Sequence, residues 1–217
     1  MTSAFPVDGL TLVQHPLVQH RLTRLRTRDT PPERFRAELR AVSLLLGAAA
    51  LADLPLEDRT IATPVASMES AVLACAPPVV VPVLRAGLAM ADGVLDLLPE
   101  ASLAHLGLYR DPETLEAVEY YFKAPADLAE RPVLLVDPML ATGHSAIAAL
   151  DRLKAAGARD LRFLCLLAAR PGAVAVRAAH PDVRIWTAAL DPALDAKGYI
   201  VPGLGDAGDR AFGTDHD

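Results

Sequence analysis

Residues 133–145 have the sequence VLLVDPMLATGHS, in which an apolar run leads into an acidic residue and then into small and hydroxyl residues. Four consecutive aliphatic residues are typical of a strand buried on both faces, as in a parallel sheet. Apolar residues then recur at Ile147, Leu150 and Leu153, which predicts a helix after the loop. Gly157 is placed to end that helix. This unit of strand, loop and helix predicts an α/β fold.

The loop between this strand and helix has residues suited to binding a phosphate. The first amides of a helix lack intrahelical acceptors and therefore favour anions. Thr142 and Ser145 add hydroxyl donors, and Gly143 lets the backbone approach a ligand closely. Asp137, at the end of the strand, could accept hydrogen bonds from sugar hydroxyls. An ordinary turn with a Ser or Thr cap fits this shape equally well, and neither a Walker loop nor a dinucleotide fingerprint is present.

A second unit of strand, loop and helix precedes the first in the chain. Residues 79–83 are VVVPV, another buried-strand pattern, and LRAG at 84–87 leads into a helix expected to end near Leu98. A cation at the carboxyl end of such a strand suits a pyrophosphate. Taken alone, however, Arg85 is more typical of a surface or ion-paired arginine.

The remaining pattern predicts a single α/β domain over residues 1–217. Further strands are predicted at 103–109, 161–168 and 183–188, and Pro171 begins a short helix between the last two. Strands that alternate with helices at this spacing imply right-handed crossovers and a mostly parallel central sheet with flanking helices.

The first 56 residues are predicted to form an arm and two helices that pack on the core or on another subunit. A loose or extended arm is expected at 1–14, and helices are expected at 15–26 and 30–52, the second with Thr30 as its cap. The basic residues around the first helix are expected to form a solvated face: Arg21, Arg24, Arg26 and Arg28.

Two other segments are predicted to be β structure. Residues 59–65 are expected to form one or two short strands, and Pro64 favours an edge or hairpin position there. Residues 115–123 are expected to form a β arm, whose three aromatic side chains at 120–122 would pack against the core or a partner subunit.

Composition and charge exclude several classes of function. Hydrophobic residues make up 52% of the chain, too many for disorder, and a net charge of −6 argues against a nucleic-acid surface. Cys75 and Cys165 are expected to be buried free thiols in a reducing compartment. The first residues do not resemble a signal peptide, and no apolar run is long enough to span a membrane. The cytoplasm is therefore expected, with neither nucleic acid nor membrane as a partner.

Residues 198–210, GYIVPGLGDAGDR, are predicted to form a tightly turned loop, because four glycines and a proline fall within its first eleven positions. A solvent-exposed C-terminal turn is the alternative. The apolar and aromatic side chains of the loop argue against it, because they should be shielded from water: Tyr199, Ile200, Val201 and Leu204.

Three of these stretches resemble, in the same order, motifs of the uracil phosphoribosyltransferase family. VDPMLATGHS at 136–145 is similar to the family's phosphoribosyl-diphosphate loop, and VLRAG at 83–87 is similar to its pyrophosphate-binding loop. YIVPGLGDAGD at 199–209 nearly reproduces its uracil-binding segment. The likeness extends from about His15 to Thr214.

The resemblance implies a type I phosphoribosyltransferase fold with N-terminal helices (1–56), a β-arm flap and a small C-terminal hood (190–217). The implied reaction joins uracil to 5-phospho-α-D-ribose 1-diphosphate (PRPP) and yields uridine monophosphate (UMP) and diphosphate, a step of pyrimidine salvage. Mg²⁺ is the implied cofactor. It would be held mainly through the diphosphate, because Pro138 replaces the second of two acids that many relatives place at the ribose. A homo-oligomer, dimer or tetramer, is implied, with GTP as a candidate activator.

The resemblance also assigns roles to residues. PRPP is expected to contact two arginines, one hood acid and the phosphate loop: Arg85, Arg110, Asp206, Asp137, Pro138, Met139, Leu140, Ala141, Thr142, Gly143, His144 and Ser145. Uracil is expected to contact mainly backbone groups of the C-terminal segment: Ile200, Gly205, Asp206 and Ala207. The implied catalytic residues are Arg85, Arg110 and Asp206. The family usually has Gly at position 144, and a left-handed backbone there would be costly for His144.

Two alternatives remain open. A phosphoribosyltransferase for another base, such as orotate, would share the phosphate loop, but the C-terminal loop favours uracil. A regulator that keeps the nucleotide site without turnover, such as an RNA-binding attenuation protein, is the second alternative. The acidic net charge and the retention of Arg85, Arg110 and Asp206 favour an enzyme.

Overall fold

The structure, a computed structural model, describes residues 7–110 and 117–214. The helices within these residues are α1 (Pro16–Arg26), α2 (Pro32–Ala50), α3 (Gly87–Leu97), α4 (His144–Ala155), α5 (Arg170–Ala179), α6 (Ala207–Phe212) and a 3₁₀ helix (Leu128–Glu130). The strands are β1 (Leu10–Leu12), β2 (Leu56–Ala62), β3 (Ser67–Leu73), β4 (Val79–Leu84), β5 (Ser102–Leu103), β6 (His105–Arg110), β7 (Ala117–Lys123), β8 (Pro132–Val136), β9 (Met139–Leu140), β10 (Asp160–Ala169), β11 (Arg184–Asp191), β12 (Ala193–Leu194) and β13 (Ile200–Val201).

In the described part of the chain, nine strands form the central sheet, in the order β1-β11-β10-β8-β4-β6-β7, with β5 beside β4 and β9 beside β10. Every pair is parallel except β6 with β7, which is antiparallel. The prediction of a mostly parallel α/β sheet is therefore confirmed. The β arm at the end of the sheet is β7, and the part of it at 115–116 lies outside the described residues.

Each face of the sheet is covered by its own helices. Val80 and Leu134 point into a core shared with α1, α2 and α3, whereas Val81 and Leu135 point into a core shared with α4 and α5. Successive residues of one strand alternate between the two cores because side chains of a strand alternate in direction. The buried runs in β4 and β8 are thus apolar at every position because both faces are covered.

The N-terminal segment differs from the prediction in two places. Leu10–Leu12 is an edge strand that pairs in parallel with β11, so the expected loose arm is in part a member of the sheet. Helix α2 has Pro31 as its N-cap residue and Pro32 at its first turn. Thr30 does not cap this helix, because its hydroxyl donates to the carbonyl of Arg24 instead.

The basic residues of α1 do not form the solvated face that was expected. Arg21 and Arg24 donate to the two oxygens of Glu38 at 2.6 and 2.8 Å, and Glu38 is only 4% exposed. Arg26 pairs with Asp191. The run is basic because α1 binds two buried acids, one on α2 and one at the end of β11.

Stability should depend on Glu38 in a manner that changes with pH. Burial opposes ionisation of this carboxyl, yet the hydrogen bonds from Arg24 and Arg21 outweigh it and hold the pKa of Glu38 below its ordinary 4.5. A lowered pKa stabilises the folded state above the unfolded value, and this stabilisation is lost as the pH falls through the folded value. We expect Glu38→Gln to lower the free energy of unfolding by about 2 kcal/mol at pH 7, because both arginines lose a charged acceptor.

Urea unfolding at pH 7 and at pH 3 measures this effect. The gap between wild type and Glu38→Gln should narrow as the pH falls below 4.5. Asp96→Asn is the matched control, because Asp96 pairs with Arg40 at an exposed site. A gap that is the same at both pH values would show that ionisation of Glu38 is not its cause.

The structure also bears on the predicted strands at 59–65, on the two cysteines and on membrane-spanning helices. Strands β2 and β3 form an antiparallel hairpin whose turn contains Pro64, as expected, and every residue of β2 is exposed. Cys165 is buried, but Cys75 is only half-buried, so the prediction of two buried thiols is wrong for Cys75. None of the helices in the described ranges is both long enough and apolar enough to cross a membrane.

Candidate functional site

A pocket of about 270 Å³ opens where β4 and β8 end. Three distant parts of the sequence line it: the loop after β4 (Ala86), the loop after β8 (Asp137, Met139, Ala141) and the C-terminal loop (Gly198, Tyr199, Ile200, Gly205, Asp206, Ala207, Gly208). The carboxyl edge of a parallel sheet is where α/β folds bind ligands. The fold thus brings together all three motifs that the sequence singled out.

The phosphate loop ends in the N-terminus of α4. The first intrahelical hydrogen bond runs from the amide of Ile147 to the carbonyl of Gly143 at 2.8 Å. The amides of Ser145 and Ala146 therefore precede the intrahelical ladder and suit an anion. Thr142 is half-buried and Ser145 is exposed at this helix start.

The left-handed backbone of this loop falls on Gly143, not on His144. Gly143 has φ of +92° and precedes the helix, whereas His144 is the first helical residue. A helical residue has right-handed dihedrals, which any L-residue adopts without strain. The His at position 144 therefore does not carry the backbone cost that the sequence led us to expect.

Gly143→Ala should weaken PRPP binding by about 10-fold, because a left-handed conformation costs an L-residue roughly 1–2 kcal/mol. The added methyl would also lie 3.1 Å from the carbonyl oxygen of Gly172. His144→Gly, at the neighbouring helical position, should change PRPP affinity far less. Calorimetric titration of both variants with PRPP measures the difference, and a larger loss in His144→Gly would contradict it.

Pro138 and Leu140 attach the phosphate loop to the central sheet. The carbonyl of Pro138 accepts hydrogen bonds from the amides of Leu166 and Leu167 at 3.1 and 3.0 Å, which joins the loop to β10. Leu140 is buried and pairs with β10 through β9. Gly172 lies so close to the loop that a side-chain carbon there would approach the carbonyl oxygen of Ala141 to 2.2 Å. The loop therefore pairs with β10 and lies directly against the first turn of α5.

Asp137 and Asp206 are the two carboxylates of the pocket. Burial raises the pKa of Asp137 to about 7, although the amide of Met139, which donates to its Oδ1 at 3.3 Å, opposes the shift. The negative charge of Asp206 adds to the rise. Asp206 is the N-cap of α6 and accepts from the amide of Asp209 at 2.9 Å. A buried acid with a raised pKa beside a second carboxylate suits a ligand with hydroxyls or a bound cation.

The two arginines assigned to the diphosphate lie at the same edge of the sheet. Arg85 follows β4, its side chain is 61% exposed, and its guanidinium is 4.0 Å from a carboxylate oxygen of Asp209. Gly87 brings this loop against β8, because a side-chain carbon there would lie 2.5 Å from the carbonyl oxygen of Val136. Arg110 ends β6, which pairs with β4, and its side chain lies outside the described residues.

The C-terminal loop is more exposed than predicted. Ile200 and Leu204 are buried, at 4% and 6%, but Tyr199 and Val201 are each 43% exposed. The prediction that all four are shielded from water is therefore wrong for two of them. Ile200 and Val201 form β13, and alternating direction along a strand sends one side chain inward and the next outward.

Sequence reasoning missed four pocket residues and one helix. Ala86, Gly198, Tyr199 and Gly208 line the pocket beside residues that were singled out. Each of them lies within or next to one of the quoted motifs, and this position in the sequence could have identified it as a pocket residue. Helix α6 was not predicted, although Asp206 as cap and Gly213 with φ of +68° just past the end are ordinary helix boundaries. Six residues are too few for a recognisable apolar period.

The chain matches known proteins over almost its full length. The family model for uracil phosphoribosyltransferase matches residues 12–214. A uracil phosphoribosyltransferase from Caulobacter vibrioides is 58% identical over 208 residues, which are 96% of this chain and 100% of the relative. The solved structure of the AQ2163 protein from Aquifex aeolicus has a TM-score of 0.89 and 34% identity, over 94% of this chain and 97% of that one.

A more distant solved structure shows the fold alone. The hypoxanthine phosphoribosyltransferase from Trypanosoma cruzi has a TM-score of 0.50 and 14% identity, and the match covers 73% of this chain and 76% of that one. The phosphoribosyltransferase fold expected from the sequence is thereby confirmed. With a family model that spans residues 12–214 and a relative of 58% identity, this chain belongs to the uracil phosphoribosyltransferase family.

Proposed function

We propose that this protein transfers the phosphoribosyl group of PRPP to uracil, giving UMP and diphosphate for pyrimidine salvage. The observation that carries the proposal is the single pocket in which the loops after β4 and β8 meet the C-terminal loop. A pyrophosphate loop, a ribose-phosphate loop and a base loop in one pocket provide a place for each part of the two substrates. Family membership supports the same reaction.

The phosphate loop and Asp137 would hold the ribose 5-phosphate. The amides of Ser145 and Ala146 at the start of α4 and the hydroxyls of Thr142 and Ser145 suit the 5-phosphate, because a helix N-terminus favours anions. Asp137 reaches the pocket at the carboxyl end of β8 and would accept hydrogen bonds from the ribose hydroxyls. Such binding would fix the anomeric carbon relative to the base.

Arg85 and Arg110 would stabilise the leaving diphosphate. In the transfer, the bond from the anomeric carbon to the diphosphate oxygen breaks and its electron pair leaves with the diphosphate. Uracil N1 then bonds to that carbon and releases its proton. The transition state is cationic at the sugar and anionic at the diphosphate, so preorganised arginines lower its energy. Asp206 lies beside Gly205 and is the candidate to accept the N1 proton or to orient PRPP.

The two pocket acids fit a substrate-bound magnesium ion. No cluster of three or more potential metal ligands occurs among residues 7–110 and 117–214. Burial, with a smaller contribution from the charge of Asp206, disfavours ionisation of Asp137, and a nearby cation would relieve this cost. When bound to the diphosphate, Mg²⁺ neutralises part of the leaving group's charge. The two carboxylates would contact the ion or its water shell.

The proposal also covers organisation and location. We propose one domain over 1–217, with the N-terminal helices and the 190–217 hood as parts of it, in a cytoplasmic homo-oligomer of two or four chains. The apolar side chains on the exposed β2–β3 hairpin support subunit contact, because subunits commonly cover such surfaces: Leu56, Ile61, Met68 and Leu73. Light scattering gives the oligomer size, and rate measurements with added GTP test GTP as an activator.

Incubation with labelled uracil, PRPP and Mg²⁺ tests the reaction. We expect labelled UMP, with no product when PRPP is omitted. Orotate replaces uracil in a parallel reaction, and a faster orotate rate would identify a different transferase. Tight PRPP binding without turnover of either base would favour a regulator instead.

A further inference from the structure

A closed set of hydrogen bonds holds the base loop, which we define as residues 198–208. The guanidinium of Arg26 donates to both oxygens of Asp191 at 2.8 and 2.6 Å and also to the carbonyl of Gly203 at 2.8 Å. The amide of Gly203 donates to Asp191 Oδ2 at 2.9 Å. Both backbone polar groups of Gly203 are therefore bound by one ion pair, which we call the hood clamp (Arg26 and Asp191).

The hood clamp joins three parts of the chain that are far apart in sequence. Arg26 is the last residue of α1, Asp191 is the last residue of β11, and Gly203 lies two residues before the pocket residue Gly205. Asp191 is 5% exposed, and the side chain of Arg26 is 23% exposed. A bidentate pair in this setting has a defined geometry, because the planar fork of Arg matches a carboxylate.

A second arginine holds the next residue of the loop. Arg210 of α6 donates to the carbonyls of Leu204 at 2.8 Å and Leu25 at 2.5 Å. It also donates to the carbonyl of Thr27 at 2.6 Å. Residues 203 and 204 are thus both tied to the C-terminal end of α1. The backbone that follows them, at Gly205 and Asp206, faces the pocket.

Gly203 sits where the loop has no spare room. Its φ is +59°, and a side-chain carbon there would lie 2.0 Å from the carbonyl oxygen of Ile200. Ile200 is itself a pocket residue. A displacement of Gly203 would therefore move the backbone of two pocket residues, Ile200 and Gly205.

We infer that Arg26 and Asp191 are positioning residues that set the affinity for the base by fixing the backbone of residues 200–207. This inference rests on the proposed use of uracil. In the described part of the chain, the side chains of this pair hydrogen-bond to each other and to Gly203. Within residues 200–207 only Asp206 is assigned to PRPP, so loss of the pair should affect the base far more than PRPP. The arginine on α1 makes the N-terminal helix part of the base site.

Two variants and one control test the hood clamp in the full chain. Asp191→Asn keeps the shape of the side chain but removes the charge and one acceptor. Arg26→Lys keeps the charge but cannot bind Asp191 bidentately and Gly203 at the same time, and it avoids altering a buried residue. Asp96→Asn is the control, because Asp96 forms an equally short bidentate pair with Arg40, between α2 and α3.

We expect both clamp variants to raise the KM for uracil by roughly 10- to 100-fold, the scale of a small misplacement in a site. The KM for PRPP should rise far less, because Asp206 is the one base-loop residue assigned to PRPP. Hydrogen exchange at the amides of residues 203–208 should be faster in both variants than in wild type. The control should leave both KM values and this exchange unchanged, even where its Tm falls by a similar amount.

Equal rises in both KM values, or base-loop exchange as slow as in wild type, would overturn the inference. The same holds if the control reproduces the effects, since the clamp would then contribute only to global stability. A wild-type protein that does not use uracil would refute the proposed function, whereas the exchange comparison would still decide whether the clamp orders the base loop.

Discussion

Cytosine should be used at least about 10⁴-fold less efficiently than uracil, because a site built to hydrogen-bond one base leaves buried groups unpaired with the other. Uracil carries a carbonyl at the 4-position and a proton on the neighbouring ring nitrogen. Cytosine carries an amino group and a bare lone pair instead. A backbone amide and a carbonyl that fit uracil would therefore each face a mismatched group, and an unpaired buried group costs about 1–3 kcal/mol.

The base loop provides backbone groups in fixed positions. Gly205 has φ of +82°, and the loop is tied down at Gly203 and Leu204. Ile200→Val should change the ratio of uracil to cytosine use little, because the backbone at that position is retained. Gly205→Val should sharply reduce uracil use, because a β-branched residue adopts a left-handed conformation only with strain.

Steady-state rates with each base, at saturating PRPP, measure both effects. Ile200→Val is the matched control for Gly205→Val, since both place the same side chain at a pocket position. Cytosine turnover comparable to that of uracil would refute backbone recognition of the base. An unchanged uracil rate in Gly205→Val would show that the loop conformation does not matter.

Arg85→Ala should weaken diphosphate and PRPP binding by about 10- to 100-fold while affecting UMP much less. Arg85 follows β4, and its guanidinium lies 4.0 Å from a carboxylate oxygen of Asp209. A charge-assisted hydrogen bond contributes about 1.5–3 kcal/mol. UMP lacks the diphosphate, so it should not depend on this arginine.

Calorimetric titration with diphosphate, PRPP and UMP compares the three ligands directly. Arg40→Ala is the matched control, because Arg40 is similarly exposed, at 54%, and pairs with Asp96 on α3. Equal weakening of all three ligands in Arg85→Ala would place this arginine elsewhere in the site or in the fold.

Much of the fold could be predicted from local sequence patterns. The strands at 79–84 and 132–136 were predictable because both faces of each strand are buried, which requires an apolar residue at every position. The loop between β8 and α4 was predictable because a strand, a glycine and a helix start are all local features. The family motifs included most of the residues that line the pocket, because each of the three loops is continuous in the chain.

Features that depend on distant partners could not be predicted in this way. The basic run of α1 resembled a solvated face because the acids it binds lie elsewhere, at Glu38 and Asp191. Residues 10–12 form an edge strand because they pair with the backbone of β11. Three residues are too few to show a strand pattern in the sequence. Tyr199 and Val201 are exposed because they flank Ile200, and it is the side chain of Ile200 that packs in the core.

The sequence by itself determined the buried strands, the order of the three loops that meet in the pocket and the family, because these depend on contiguous residues. Only the tertiary structure decided which residue of the phosphate loop is left-handed, Gly143 and not His144, since that follows from where α4 begins. Only the tertiary structure also showed that Arg26 pairs with Asp191, 165 positions away, and that both side chains bind Gly203 of the base loop. Side chains so far apart meet only when helices pack on the sheet, and the energy of that packing places them.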